Sequence, residues 1–135
     1  LRKIDVTSQG DADPVFRHIR VPLVPTLHGE CFTIPEGAVK LADGHILLRD
    51  GNSRRINMSF RYKTSYAFQF EPQLTLEEFL VWNEEFADDY KLMGDQFDPS
   101  DLAAQNLREF TKFAPAHEAQ MAEMLRAFLS NAGIH

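Results

Sequence analysis

The stretch RRINMSFRYKTSYAFQF, residues 54–70, constrains the fold more than any other part of the chain, because polar and apolar residues alternate along it almost without a slip. Ile56, Met58, Phe60, Tyr62, Tyr66, Phe68 and Phe70 hold even positions; Arg55, Asn57, Ser59, Arg61, Lys63, Ser65 and Gln69 hold odd ones. A period of two sends the two sets to opposite faces of a sheet. One strand of this length would far exceed the usual ~5–6 residues, so a hairpin is expected. A three-residue loop, Lys63-Thr64-Ser65, sets Tyr62 against Tyr66, Phe60 against Phe68 and Met58 against Phe70. All the rings then share one face and the arginines lie behind them.

Upstream, the runs CFTI, AVKL and HILLR are short and β-prone, parted by PEG, ADGH and DGN. Asp43-Gly44 and Asp50-Gly51 are the natural turn dipeptides, so an antiparallel meander is expected over residues 31–70. Residues 1–30 hold Pro14, Pro22 and Pro25, each lacking a donor, and read as an irregular arm or a short edge segment.

After Glu71-Pro72 the period becomes helical. Thr75 and Glu78 have capping-box spacing, and Leu76, Phe79, Leu80, Phe86, Ala87 and Tyr90 form one stripe that Gly94 should end. Asp98-Pro99 signals a second start, with Leu102, Ala103, Leu107, Phe110 and Phe113 inward. Pro115 should break the chain before a third helix that carries Met121, Met124, Leu125 and Phe128 and closes at Gly133. The fold expected is α+β: a single domain of an N-terminal antiparallel β-meander packed on one face by three C-terminal α-helices over residues 75–132.

Net charge is −6, divided unevenly: residues 1–70 carry ten Lys/Arg against seven Asp/Glu, and residues 71–135 four against thirteen. A net acidic chain has no bulk attraction to phosphate, so the alternative reading, a nucleic-acid-binding module, rests on the local cations Arg54, Arg55, Arg61 and Lys63. The pleat works against a stacking platform, which needs rings and cations on one exposed face.

Few residues suggest chemistry. His28-Gly29-Glu30-Cys31 has the His-x-Glu of zinc deaminases, but Cys31 is the only cysteine and the later Cys-x-x-Cys is missing. No four-ligand zinc spacing, Gly-rich phosphate loop or nucleophile elbow is present, so neither metal nor cofactor is expected. Cys31 with His28 as base is a third, enzymatic reading that requires convergence in space. Asn83 sits as a polar group amid the first helical stripe and should find a partner, such as sheet backbone.

On that helix Val81 and Leu92 project away from the main stripe, with Trp82 at its flank and Glu85 and Asp88 around them. Apolar residues among acids suggest a partner-binding face anchored by Trp82. The function expected is therefore a non-enzymatic protein-interaction or assembly domain. It would bind a protein or itself through the acidic helical face or the basic sheet face, with no membrane involved. The start of the chain has charge but no apolar core of a signal sequence, and one cysteine suits a reducing, cytoplasmic setting. Opening on Leu1 rather than Met suggests either an excised domain or a chain lacking its first residues.

Overall fold

The computed structural model describes residues 1–48, 50–93 and 98–134. The fold is α+β: a curled antiparallel sheet packed by C-terminal helices. Five strands lie in the order β2-β1-β3-β4-β5: β1 Arg2–Val6, β2 Leu23–Val24, β3 Val39–Leu47, β4 Ser53–Tyr62 and β5 Ser65–Phe68. A short helix α1, Ser8–Ala12, and a 3₁₀ turn, Phe16–His18, connect β1 to β2. Helix α2 spans Leu76–Glu85, a 3₁₀ segment spans Ala87–Met93, and α3 spans Pro99–Asn131.

Residues 1–30 contribute more than an irregular arm. β1 pairs on both sides, with β2 and β3, so it is an interior strand. The prolines lie downstream of it, and Pro22 and Pro25 flank the two-residue edge strand β2. The run CFTI is not a strand, and β3 passes straight through Asp43-Gly44. That glycine answers to close packing, since a Cβ there would lie 2.9 Å from Met58 Cγ. The other Asp-Gly does turn the chain: Gly51 has φ +85°, and Leu48 N–H donates to Asn52 O.

The hairpin register differs from the expected one. Tyr62 pairs with Ser65, Arg61 with Tyr66, Phe60 with Ala67 and Ser59 with Phe68, around a two-residue loop that puts Lys63 at φ +54°. The β3–β4 ladder slips twice, leaving Met58 and then Leu41 without an opposite residue. A bulge of this kind inverts the alternation. Before it, Ile56 faces the core beside Ile4, while Asn57 faces out beside Asp43 and Asp5. After it, Arg61 shares the inner face with Tyr66, and Phe60 turns outward to meet Phe32 at 5.2 Å. The rings therefore divide between two faces. Tyr66 and Phe68 share a face with Arg61 but are not bare, because Phe16 stacks on Phe68 and Phe128 edges onto Tyr66.

The main core joins Ile4, Phe16, Leu41, Met58 and Phe70 to Met124 of α3. A smaller one forms where Phe79 of α2 stacks on Phe110 of α3 at 4.4 Å, with Leu74 and Ala114 beside them. The second and third expected helices are one helix of 33 residues running through Pro115. Proline removes one ladder bond, but Ala114, His117 and Gln120 around it are buried, so packing holds both turns in line. The caps follow the sequence: Thr75 and Glu78 form the capping box, and Asp98 caps α3 before Pro99. At the far end Gly133, at φ +77°, closes a Schellman motif in which Ile134 N–H donates to Leu129 O. The expected stop at Gly94 lies outside the described residues. Among the described residues no helix is long and apolar enough to cross a membrane.

Candidate functional site

The bulge that turns Arg61 inward also builds the most organised polar group of the structure. Asp13, 4% exposed, follows α1, and its Oδ1 accepts the backbone N–H groups of Val15 and Phe16, each at 2.9 Å. The same oxygen accepts the Tyr66 hydroxyl at 2.8 Å, and Oδ2 accepts Arg61 Nε–H at 2.9 Å. Burial first, and then the bond to Asp13, push the Tyr66 phenol well above its ordinary range, so it stays a donor. Arg61 also donates from its NH1 group to Lys63 O at 3.1 Å, which fixes the guanidinium beside the left-handed turn.

A shallow cleft of about 300 Å³ opens next to this group, between the β4–β5 turn and the C-terminal end of α3. Pro14, Tyr66 and Phe128 give it apolar walls, and Arg61, Lys63 and Thr64 give it polar ones. With Asp13 offsetting Arg61, Lys63 leaves the local balance positive. That suits a small anion with an apolar body.

The four cations read from the sequence do not form one surface. Arg55 is bound to Asp43 on the outer face, and Arg61 to Asp13 on the inner face. Arg54 is exposed near the other end of β4, and the Lys63 ammonium lies 5.3 Å from the Tyr62 ring centroid. Burial raises the Asp43 carboxyl, but hydrogen bonds from Arg55 and Lys40 outweigh it and hold the group below the usual carboxylate range.

His28 and Cys31 fall close to Arg2. Arg2 donates to His28 Nε2 at 2.6 Å, which leaves Nδ1–H to donate to Glu30 O at 2.8 Å. Burial, and then the Arg2 charge, keep this imidazole below its ordinary pKa against the raising effect of Glu30. Both ring nitrogens are engaged, so the exposed thiol of Cys31 has no free base in His28. Among the described residues no three His, Cys, Asp or Glu side chains are grouped to hold a metal.

On α2 and the segment after it, Val81 and Leu92 are 54% and 64% exposed, Glu85 and Asp88 are exposed, and Trp82 is half-buried. Leu80 and Phe86, expected inside, are also exposed, because among the described residues α2 packs mainly on α3 and the 3₁₀ segment rather than on the sheet. Asn83 finds its partner in Tyr90, whose hydroxyl donates to Asn83 Oδ1 at 2.6 Å, rather than in sheet backbone.

No protein-family model matches the chain, and no curated protein does. Among solved structures the fold is similar to a glutamine amidotransferase from Thermotoga maritima. The TM-score is 0.65 at 19% identity, over 94% of this chain and 49% of that one. At that identity the likeness establishes the fold, and the chain spans about half the length of the enzyme it matches. It corrects the expectation of a non-enzymatic interaction or assembly domain, and with it the leaning against an enzyme. The fold of nearly the whole chain is similar to part of that enzyme.

Proposed function

We propose that this chain works within an enzyme of the amidotransferase type, as the half of such an enzyme that its fold matches. The observation that carries this is the likeness over 94% of the chain to 49% of a glutamine amidotransferase. Releasing ammonia from a carboxamide by covalent catalysis needs an activated nucleophile and a base in contact. Cys31 has no free imidazole beside it, so the attacking group comes from the polypeptide that supplies the other half. This chain, as a single domain, then supplies a wall of antiparallel sheet and the helices behind it. The Arg61–Lys63 cleft offers a place for a substrate carboxylate. A reducing, cytoplasmic setting suits its exposed thiol.

The test is glutamine hydrolysis, read as glutamate and ammonia. The 135-residue chain alone should give background rates, unchanged by Cys31→Ser, while the chain assembled with the polypeptide that supplies the other half releases ammonia from glutamine or another primary carboxamide. A folded assembly of the two halves that is inert toward a panel of such amides overturns the reading.

A further inference from the structure

We propose that the exposed face of α2 and the 3₁₀ segment after it docks a basic, amphipathic segment of a partner protein. The observations stand apart from the amidotransferase reading. Among the described residues helix α2 is covered on one side only, where Phe79 stacks on Phe110 and Leu76 and Trp82 close the small core. Its open side presents Leu80 at 48% and Val81 at 54% exposure, and Leu92 follows at 64%. Helical spacing interleaves Leu80 and Val81 with exposed Glu77, Glu84 and Glu85, because i, i+3 and i+4 are neighbours. Exposed Asp88 and Asp89 extend the acidic border. The one base between Leu76 and Met93 is Lys91, already bound to Asp88 at 2.6 Å.

This mixture selects the occupant. Acids on the border repel nucleic acids and anionic lipid surfaces. A symmetric second copy would set the same carboxylates against one another. Lysines or arginines flanking an apolar stripe satisfy both parts of the face at once.

Trp82 is the sole tryptophan of the chain and borders this face, so its emission reports on docking. The probe is a Lys/Leu amphipathic helix of about five turns without aromatic residues, and a Glu/Leu peptide of the same pattern is the control. A saturable change is expected with the Lys/Leu peptide alone, weakening about tenfold or more as salt rises past physiological strength. Val81→Ser with Leu92→Ser should weaken binding by more than about tenfold, at an unchanged thermal midpoint, since both side chains lie mainly in water. Glu84→Lys with Glu85→Lys should reverse the preference to the Glu/Leu peptide. No saturable response, or equal response to both peptides, overturns the proposal. So does self-association of the native chain that the Val81/Leu92 variant abolishes, which would make a second copy the occupant.

Discussion

Arg61 and Asp13 meet at 2.9 Å between residues 48 positions apart, joining the end of β4 to the turn after α1. The carboxylate is buried and fully used, accepting Val15 N–H, Phe16 N–H and the Tyr66 hydroxyl as well. This contact orients the cations of the cleft and also ties the first connection to the sheet.

Asp13→Ala should therefore be among the most destabilising polar substitutions. It frees two backbone donors, a buried hydroxyl and a guanidinium, and should cost about 3–5 kcal/mol in urea denaturation. Tyr66→Phe removes one donor and should cost about 1 kcal/mol. Equal losses in the two variants would show that Asp13 acts through Tyr66 alone.

Pro115→Ala should stabilise the protein. The proline sits inside α3 and withholds one ladder bond, so replacement should gain about 1–3 kcal/mol if the helix axis is otherwise unchanged. A loss on calorimetry would mean that the shape imposed by proline is needed to seat both halves of α3.

Gly10 and Gly29 should respond differently to alanine. A Cβ on Gly10 would collide with the carbonyl oxygen of Leu41 and crowd Val6, whereas one on Gly29 meets nothing within 4 Å. Gly10→Ala should lower stability by about 1–3 kcal/mol or more, through backbone displacement. Gly29→Ala should stay within about 0.5 kcal/mol. Thermal midpoints of the two variants decide the matter.

Stability should fall on mild acidification, in part through His117. Its Nε2–H donates to Leu23 O at 2.9 Å, its buried Nδ1 has no partner among the described residues, and burial lowers its pKa below the ordinary 6.5. The unfolded chain then binds a proton that the fold refuses. The loss begins as pH drops through 6.5 and continues down to the lower folded value. His28, also lowered, adds to the same slope. Between pH 7 and 5 the native protein should lose more stability than His117→Gln, with a difference of up to about 1.4 kcal/mol per pH unit. Parallel curves would contradict this.

Local patterns proved legible where one or two residues decide the outcome. The capping box of Thr75 and Glu78, the Asp98-Pro99 start and the Asp50-Gly51 turn act within a few bonds of themselves. Asp13 of the candidate site carried a weak signal, an aspartate before Pro14-Val15-Phe16 that can accept the N–H groups two and three residues on. Its meeting with Arg61 had none.

By itself the sequence determined that an antiparallel sheet precedes amphipathic helices, because periods of two and of 3.6 are properties of the local backbone. Only the tertiary structure decided which rings face inward, since the Met58 bulge turns Phe60 out and Arg61 in while Tyr66, Phe68 and Phe70 stay on the core side, and that slip depends on how β3 lies against β4. It likewise decided that α3 continues through Pro115, and that α2 is left half-covered. Both outcomes depend on what packs alongside, and no short window of sequence records that.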